Sequence, residues 1–203
     1  MTTFAIVIII QGQPGLPLPL PSGLTVQTFL PYPNSKASAK ALDPRRLGNQ
    51  RVEAIQLLLC LLSVPSEDGE KPAAWSAHPA AKMWASSPFA LAAYTLAVCE
   101  EWKLRGYSDG LALGARILLG LAPATSAINS TLPSVRRIGS WVRACGALRP
   151  AGPPPWWGSP AFHASHRSNL IRKDPIFYGQ WNWSEPADLP YIWPTTDTTS
   201  ENP

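Results

Sequence analysis

The chain has 203 residues, enough for one domain of ordinary size with its own core. Only 15% of residues are charged, the net charge is +4, and 23 prolines require long loops or extended linkers. This balance permits a polyanionic partner without demanding one. Cys60, Cys99 and Cys145 are an odd set without CxxC spacing. With no repeated ligand pair, no zinc site is predicted, and Cys60 and Cys99 read as small buried hydrophobes in a reducing compartment. No cofactor motif is present.

Phe4 to Ile10 form an apolar run that lacks the basic flank and cleavage site of a signal peptide and is too short to span a bilayer. No later segment has membrane length, so the sequence predicts a cytoplasmic protein. Residues 14–23 alternate proline with leucine and favour extended conformations. Residues 1–24 therefore read either as a disordered arm or as an extension ahead of a true start at Val26, with GTG decoded as methionine. Asn34 or Ser35 can cap a helix through Ala41. Asp43, with Pro44 at the first helical position, opens another to about Leu62. Its apolar side carries Leu47, Ala54, Ile55, Leu58 and Leu62, while Arg46, Asn49, Gln50, Glu53 and Gln56 share a polar side. A short helix follows at Pro79–Trp84, and a long core helix runs from Ser87-Pro88 through Arg105, closed by Gly106. Residues 109–119 predict another helix. The stretch 120–155, rich in Ala, Pro, Ser and Gly, reads as a flexible insertion. Ser159-Pro160 starts a basic C-terminal helix. Trp181–Pro194 then wraps back as an irregular aromatic tail, and 195–203 read as a disordered end. No strand alternation is visible. The predicted fold is mainly α: a compact single-domain helical bundle over 26–194 with long Pro-rich loops.

Chemistry concentrates in three blocks. They are Leu42-Asp43-Pro44-Arg45-Arg46-Leu47 continuing to Arg51-Val52-Glu53; His78-Pro79 with Tyr94, Glu100, Glu101 and Arg105-Gly106-Tyr107; and His166 through Tyr178. Cations beside rings suit a nucleic-acid surface, and equally a solvated helix end whose aromatics belong to the core. In this order the blocks resemble the pyrimidine-dimer DNA glycosylase (phage endonuclease V-like) superfamily, and more closely an uncharacterised branch from actinobacteria and their phages.

The resemblance implies a compact helical fold and a bifunctional glycosylase/AP lyase. In active members a free N-terminal amine attacks C1′ of the damaged nucleotide, and a helix-borne glutamate assists base release and β-elimination. An α-amine has a reference pKa near 7.7–8.0, so part of it is nucleophilic at neutral pH. Glu53 falls at the position of that glutamate when Leu42-Asp43 and Leu47 are superposed on the family pattern; as an isolated helix residue it reads as a partner of Arg46 or Arg51. The resemblance assigns DNA contacts to Arg45, Arg46, Arg51, His166, Arg167, Arg172, Lys173 and Tyr178. His78, also counted among the DNA contacts, reads equally as a hydrogen-bonding site residue, a helix cap or a satisfied buried histidine. The implied partner is double-stranded DNA, met by a monomer in the cytoplasm near the nucleoid, with no membrane role. Two departures stand out. Thr2, the candidate N-terminal nucleophile, precedes Glu53 by a long Pro-rich arm, and Val52 occupies the place of a family arginine. Lys173 or Lys82 is an alternative amine if desolvation lowers its pKa. A DNA-binding relative without turnover and a phage or host interaction module remain as alternatives.

Overall fold

The computed structural model describes residues 28–64 and 77–194. The expected arm over 1–24, the candidate start at Val26 and the tail at 195–203 lie outside the described residues. Among the described residues there are eight α-helices and no strand, so the fold is mainly α as the sequence predicts. None of these helices is long and apolar enough to cross a membrane.

Local rules place most of the helix starts. Asn34 accepts from the Ala37 N–H to open α1 (Ser35–Ala41), and Asp43 accepts from the Arg46 N–H to open α2 (Pro44–Leu61). His78 caps α3 (Pro79–Trp84) by accepting from the Ala80 N–H. The central helix α4 (Pro88–Leu104) ends at Gly106, whose φ of +86° suits a residue without a side chain. Beyond it lie α5 (Ala112–Leu118), α6 (Pro133–Cys145), α7 (Pro160–Lys173) and α8 (Pro175–Tyr178). Helix α4 buries Leu91, Ala92, Tyr94, Thr95, Val98 and Cys99, and packs against α1, α2 and α5. Helix α2 answers with Leu47, Ala54, Ile55, Leu57 and Leu58.

The stretch 120–155, expected as a flexible insertion, instead carries a packed helix. In α6, Val135 and Ile138 are fully buried and Val142 packs against the core, at the three- and four-residue steps of an amphipathic helix. Gly139 lies against a 3-10 turn at Ala124–Ala127, and Leu148 donates its N–H to the Leu118 carbonyl. The abundance of small residues, which suggested a loop, permits this close approach.

The most consequential element is not a helix. Residues Thr28 to Pro31 run through the interior as irregular backbone, with Thr28 and Leu30 at 0% exposure. Buried backbone without a ladder needs side chains to satisfy it. Gln50 of α2 accepts from the Phe29 N–H at 2.9 Å, and the Tyr94 hydroxyl of α4 donates to the Phe29 carbonyl at 3.0 Å. From α7, His166 Nδ1 accepts from the Leu30 N–H at 3.0 Å, His163 Nδ1 meets the Leu30 carbonyl at 2.7 Å, and Arg167 donates to the Pro31 carbonyl at 2.6 Å. This strap joins α7 to α2 and α4. The aromatic tail closes over it, with the Trp183 indole donating to the Tyr32 hydroxyl and Tyr191 packing on His166.

Candidate active site

Glu53 lies half-buried on α2, one turn after Gln50. Gln50 Oε1 accepts from both the Phe29 N–H and the Tyr94 hydroxyl, the latter at 2.8 Å. With the amide oxygen so occupied, Gln50 Nε2 faces outward and donates to Glu53 Oε2 at 2.9 Å. Burial, and then the Glu53 charge, push the Tyr94 phenol well above its ordinary pKa, so it stays a donor. The carboxylate is therefore held by a relay that starts at the backbone near the beginning of the described chain.

The entrance to α2 is a second polar cluster. The Tyr178 hydroxyl donates to Asp43 Oδ2 at 2.6 Å and accepts from the Asp43 N–H at 3.2 Å. Arg46 pairs with the same carboxylate at 2.6 Å and lies over the Tyr178 ring at 5.6 Å. Burial alone would raise the Asp43 pKa, but the hydrogen bonds from Tyr178 and Arg46 outweigh it and hold the carboxyl below its usual range. The Tyr178 phenol is pushed up, chiefly by burial.

The residues predicted to contact DNA separate into two groups. Arg45, Arg172 and Lys173 are exposed; Arg45 has no hydrogen-bond or ion-pair partner among the described residues, and Arg172 reaches only the Ala187 carbonyl at 3.3 Å. Burial, followed by the charges of Arg46, Arg172 and Arg45, holds the Lys173 ammonium below the usual lysine pKa, while Glu53 acts the other way. The charge-bearing ends of α2 and α7 therefore sense each other.

The other group faces inward. His166 and Tyr178 are at 0% exposure and present no surface to DNA. His166 answers the strap backbone and Tyr178 answers Asp43. Arg167 is held by Glu185 and the Pro31 carbonyl. Arg51 pairs with the buried Asp109 carboxylate and stacks over Trp102 at 4.5 Å, tying α2 to the start of α5. His78 caps α3 and packs edge-on against Trp193. The physical reason is common to all of them. Buried backbone, caps and carboxylates need donors and acceptors, and these side chains supply them. The same demand identifies what residue-type reasoning missed: Gln50, assigned to a polar face but 1% exposed, and the strap contact of His163.

Other features lie apart from this site. A cleft of about 490 Å³ beside α5, lined by Lys103, Asp109, Gly110 and Arg116, contains neither Glu53 nor Lys173. Among the described residues no three His, Cys, Asp or Glu side chains converge as metal ligands.

Residues 26–113 match the family model for pyrimidine dimer DNA glycosylase. The matched segment contains the strap, Gln50, Glu53, Tyr94 and the Asp43–Arg46 pair, and it ends before α6 begins. Arg172, Lys173 and Tyr178 thus lie beyond the matched residues. No curated protein and no solved structure matches the chain.

Proposed function

We propose that the protein is a DNA glycosylase/AP lyase acting on damaged pyrimidines in double-stranded DNA, with Glu53 as its carboxylate and an amine from the chain ahead of Thr28 as its nucleophile. The observation that carries this reading is the relay from the Phe29 amide through Gln50 to Glu53. Three residues of extended chain span at most about 10 Å. A start at Val26 sets the α-amine three residues ahead of Phe29, within chain reach of that relay. An amine at Thr2 has no such bound.

The chemistry follows from the two groups. The neutral amine attacks C1′ as the glycosidic bond breaks, and the base leaves with a proton. The ring-opened sugar then forms a Schiff base with the amine. Loss of the C2′ proton to a carboxylate expels the 3′ phosphate by β-elimination. A half-buried carboxylate also stabilises the positive charge that builds on the sugar. Reaching C1′ requires extruding the nucleotide from the duplex.

The test is borohydride trapping on duplexes carrying an abasic site or an ultraviolet dimer, with two purified forms of the protein. One begins at Met1 and the other at Val26 as methionine. An adduct on the N-terminal peptide of the shorter form is expected. Glu53→Gln should lower strand scission by about 10²-fold or more while duplex binding changes little. An adduct on Lys173 would retain the lyase and move the nucleophile to α7. No adduct from either form, with salt-sensitive binding intact, would overturn the lyase and leave a DNA-binding relative.

A further inference from the structure

Ile176 is 92% exposed, more than any other large hydrophobic side chain among the described residues. A single exposed isoleucine is ordinary in itself. Its mounting is not. Pro175 sets the first turn of α8, and Asp174 Oδ1 accepts from the Phe177 N–H at 3.0 Å. One residue after Phe177, the Tyr178 hydroxyl locks the helix onto Asp43 at the start of α2. Trp183 stacks on Tyr178 with ring planes 15° apart, and Trp181 stacks on Trp183 at the same angle. A four-residue helix is thus held from both sides, and it projects one β-branched apolar side chain into solvent.

Exposed cations lie close by in the chain, with the capping Asp174 between them and the helix. Arg172 and Lys173 precede it, and Arg46 lies against Tyr178. Leu104, Leu121 and Ile128 are also exposed, but none belongs to this cluster. An apolar point on a rigid base, following an exposed Arg172-Lys173 pair, matches a duplex: cations hold the phosphates while the side chain enters the stack. A stiff χ1 keeps the point from folding away.

We propose that Ile176 is an apolar wedge that enters the base stack of duplex DNA and helps open it for the site around Glu53. This rests on the DNA-repair reading above. Intercalating side chains kink and unstack a base step, which lowers the barrier to extruding a neighbouring nucleotide.

The experiment uses the full chain and a duplex with 2-aminopurine beside a tetrahydrofuran abasic analogue, which no lyase can cleave. At saturating protein, the wild type should raise 2-aminopurine fluorescence, and Ile176→Ala should cut that rise by about threefold or more. Ile176→Val, which keeps the β-branch, should retain most of it. Thermal melting of the three proteins should coincide, since the side chain makes little contact. An equal rise with Ile176→Ala, or duplex binding by the wild type without any rise, would overturn the wedge alone. Self-association that disappears in Ile176→Ala would assign the face to protein contact and also overturn it. Failure of the wild type to bind any duplex would overturn the DNA reading itself.

Discussion

Two histidines on one helix turn show how backbone sets side-chain chemistry. His166 Nδ1 accepts the Leu30 N–H, so its proton sits on Nε2. His163 donates from Nδ1 to the Leu30 carbonyl, leaving Nε2 to accept the Gly158 N–H at 3.1 Å. Each ring is neutral, in opposite tautomers, and a second proton would break an acceptor bond. Burial lowers both pKa values, and the Arg167 charge adds to this for both rings. The unfolded chain therefore binds more protons than the folded one below about pH 6.5, the reference value, and stability falls as pH drops through that point. Asp43 and Glu185, both held low, add to the loss further down. Their contribution is complete above the ordinary carboxylate range and disappears as pH falls through their depressed values. Thermal melting between pH 8 and 4 should show a decline that begins near pH 6.5. A flat profile down to pH 5 would contradict buried neutral histidines.

At the scale of elements, α8 and α6 each depend on one contact that can be tested. Tyr178→Phe leaves the Asp43 N–H without its acceptor and removes one donor from a buried carboxylate. The expected cost is about 1.5–3 kcal/mol, read by urea denaturation. A Cβ at Gly139 would stand 2.5 Å from the Ala127 Cβ and 2.9 Å from the Ala124 carbonyl oxygen. Gly139→Val should therefore destabilise by about 1–3 kcal/mol despite improving helix propensity, and a raised melting temperature would show that α6 does not pack as described. The helices themselves were largely legible beforehand. Asn34, Asp43-Pro44, Ser159-Pro160 and Gly106 mark ends that depend on local geometry alone. Helix α6 was not, because Val135, Ile138 and Val142 are spread among small residues whose value lies in what packs against them.

At the scale of the whole molecule, the charges separate by destination. Arg51 and Arg167 answer internal carboxylates and carbonyls, whereas Arg45, Arg172 and Lys173 are exposed. Neutralising any of the exposed three should weaken duplex binding and lower the salt slope by about one, with stability nearly unchanged. Arg51→Gln or Arg167→Gln should instead lower the melting temperature, because each strands a carboxylate, Asp109 or Glu185. Fluorescence anisotropy against salt, paired with melting curves, separates the two classes. A uniform response from all five would refute the division.

By itself the sequence determined the helices other than α6 and α8, most of their caps, the apolar faces of α2 and α4 and the family resemblance, since each depends on residues near one another in the chain. Glu53 was found by that resemblance. What only the tertiary structure decided was the direction in which polar residues point. Gln50 and His166 are polar by type, and a helical wheel places such residues at the surface. Both are buried because the strap at residues 28–31 brings backbone N–H groups into the interior. Periodicity along α2 or α7 contains no trace of that demand: the groups they satisfy lie 21 and 136 residues away.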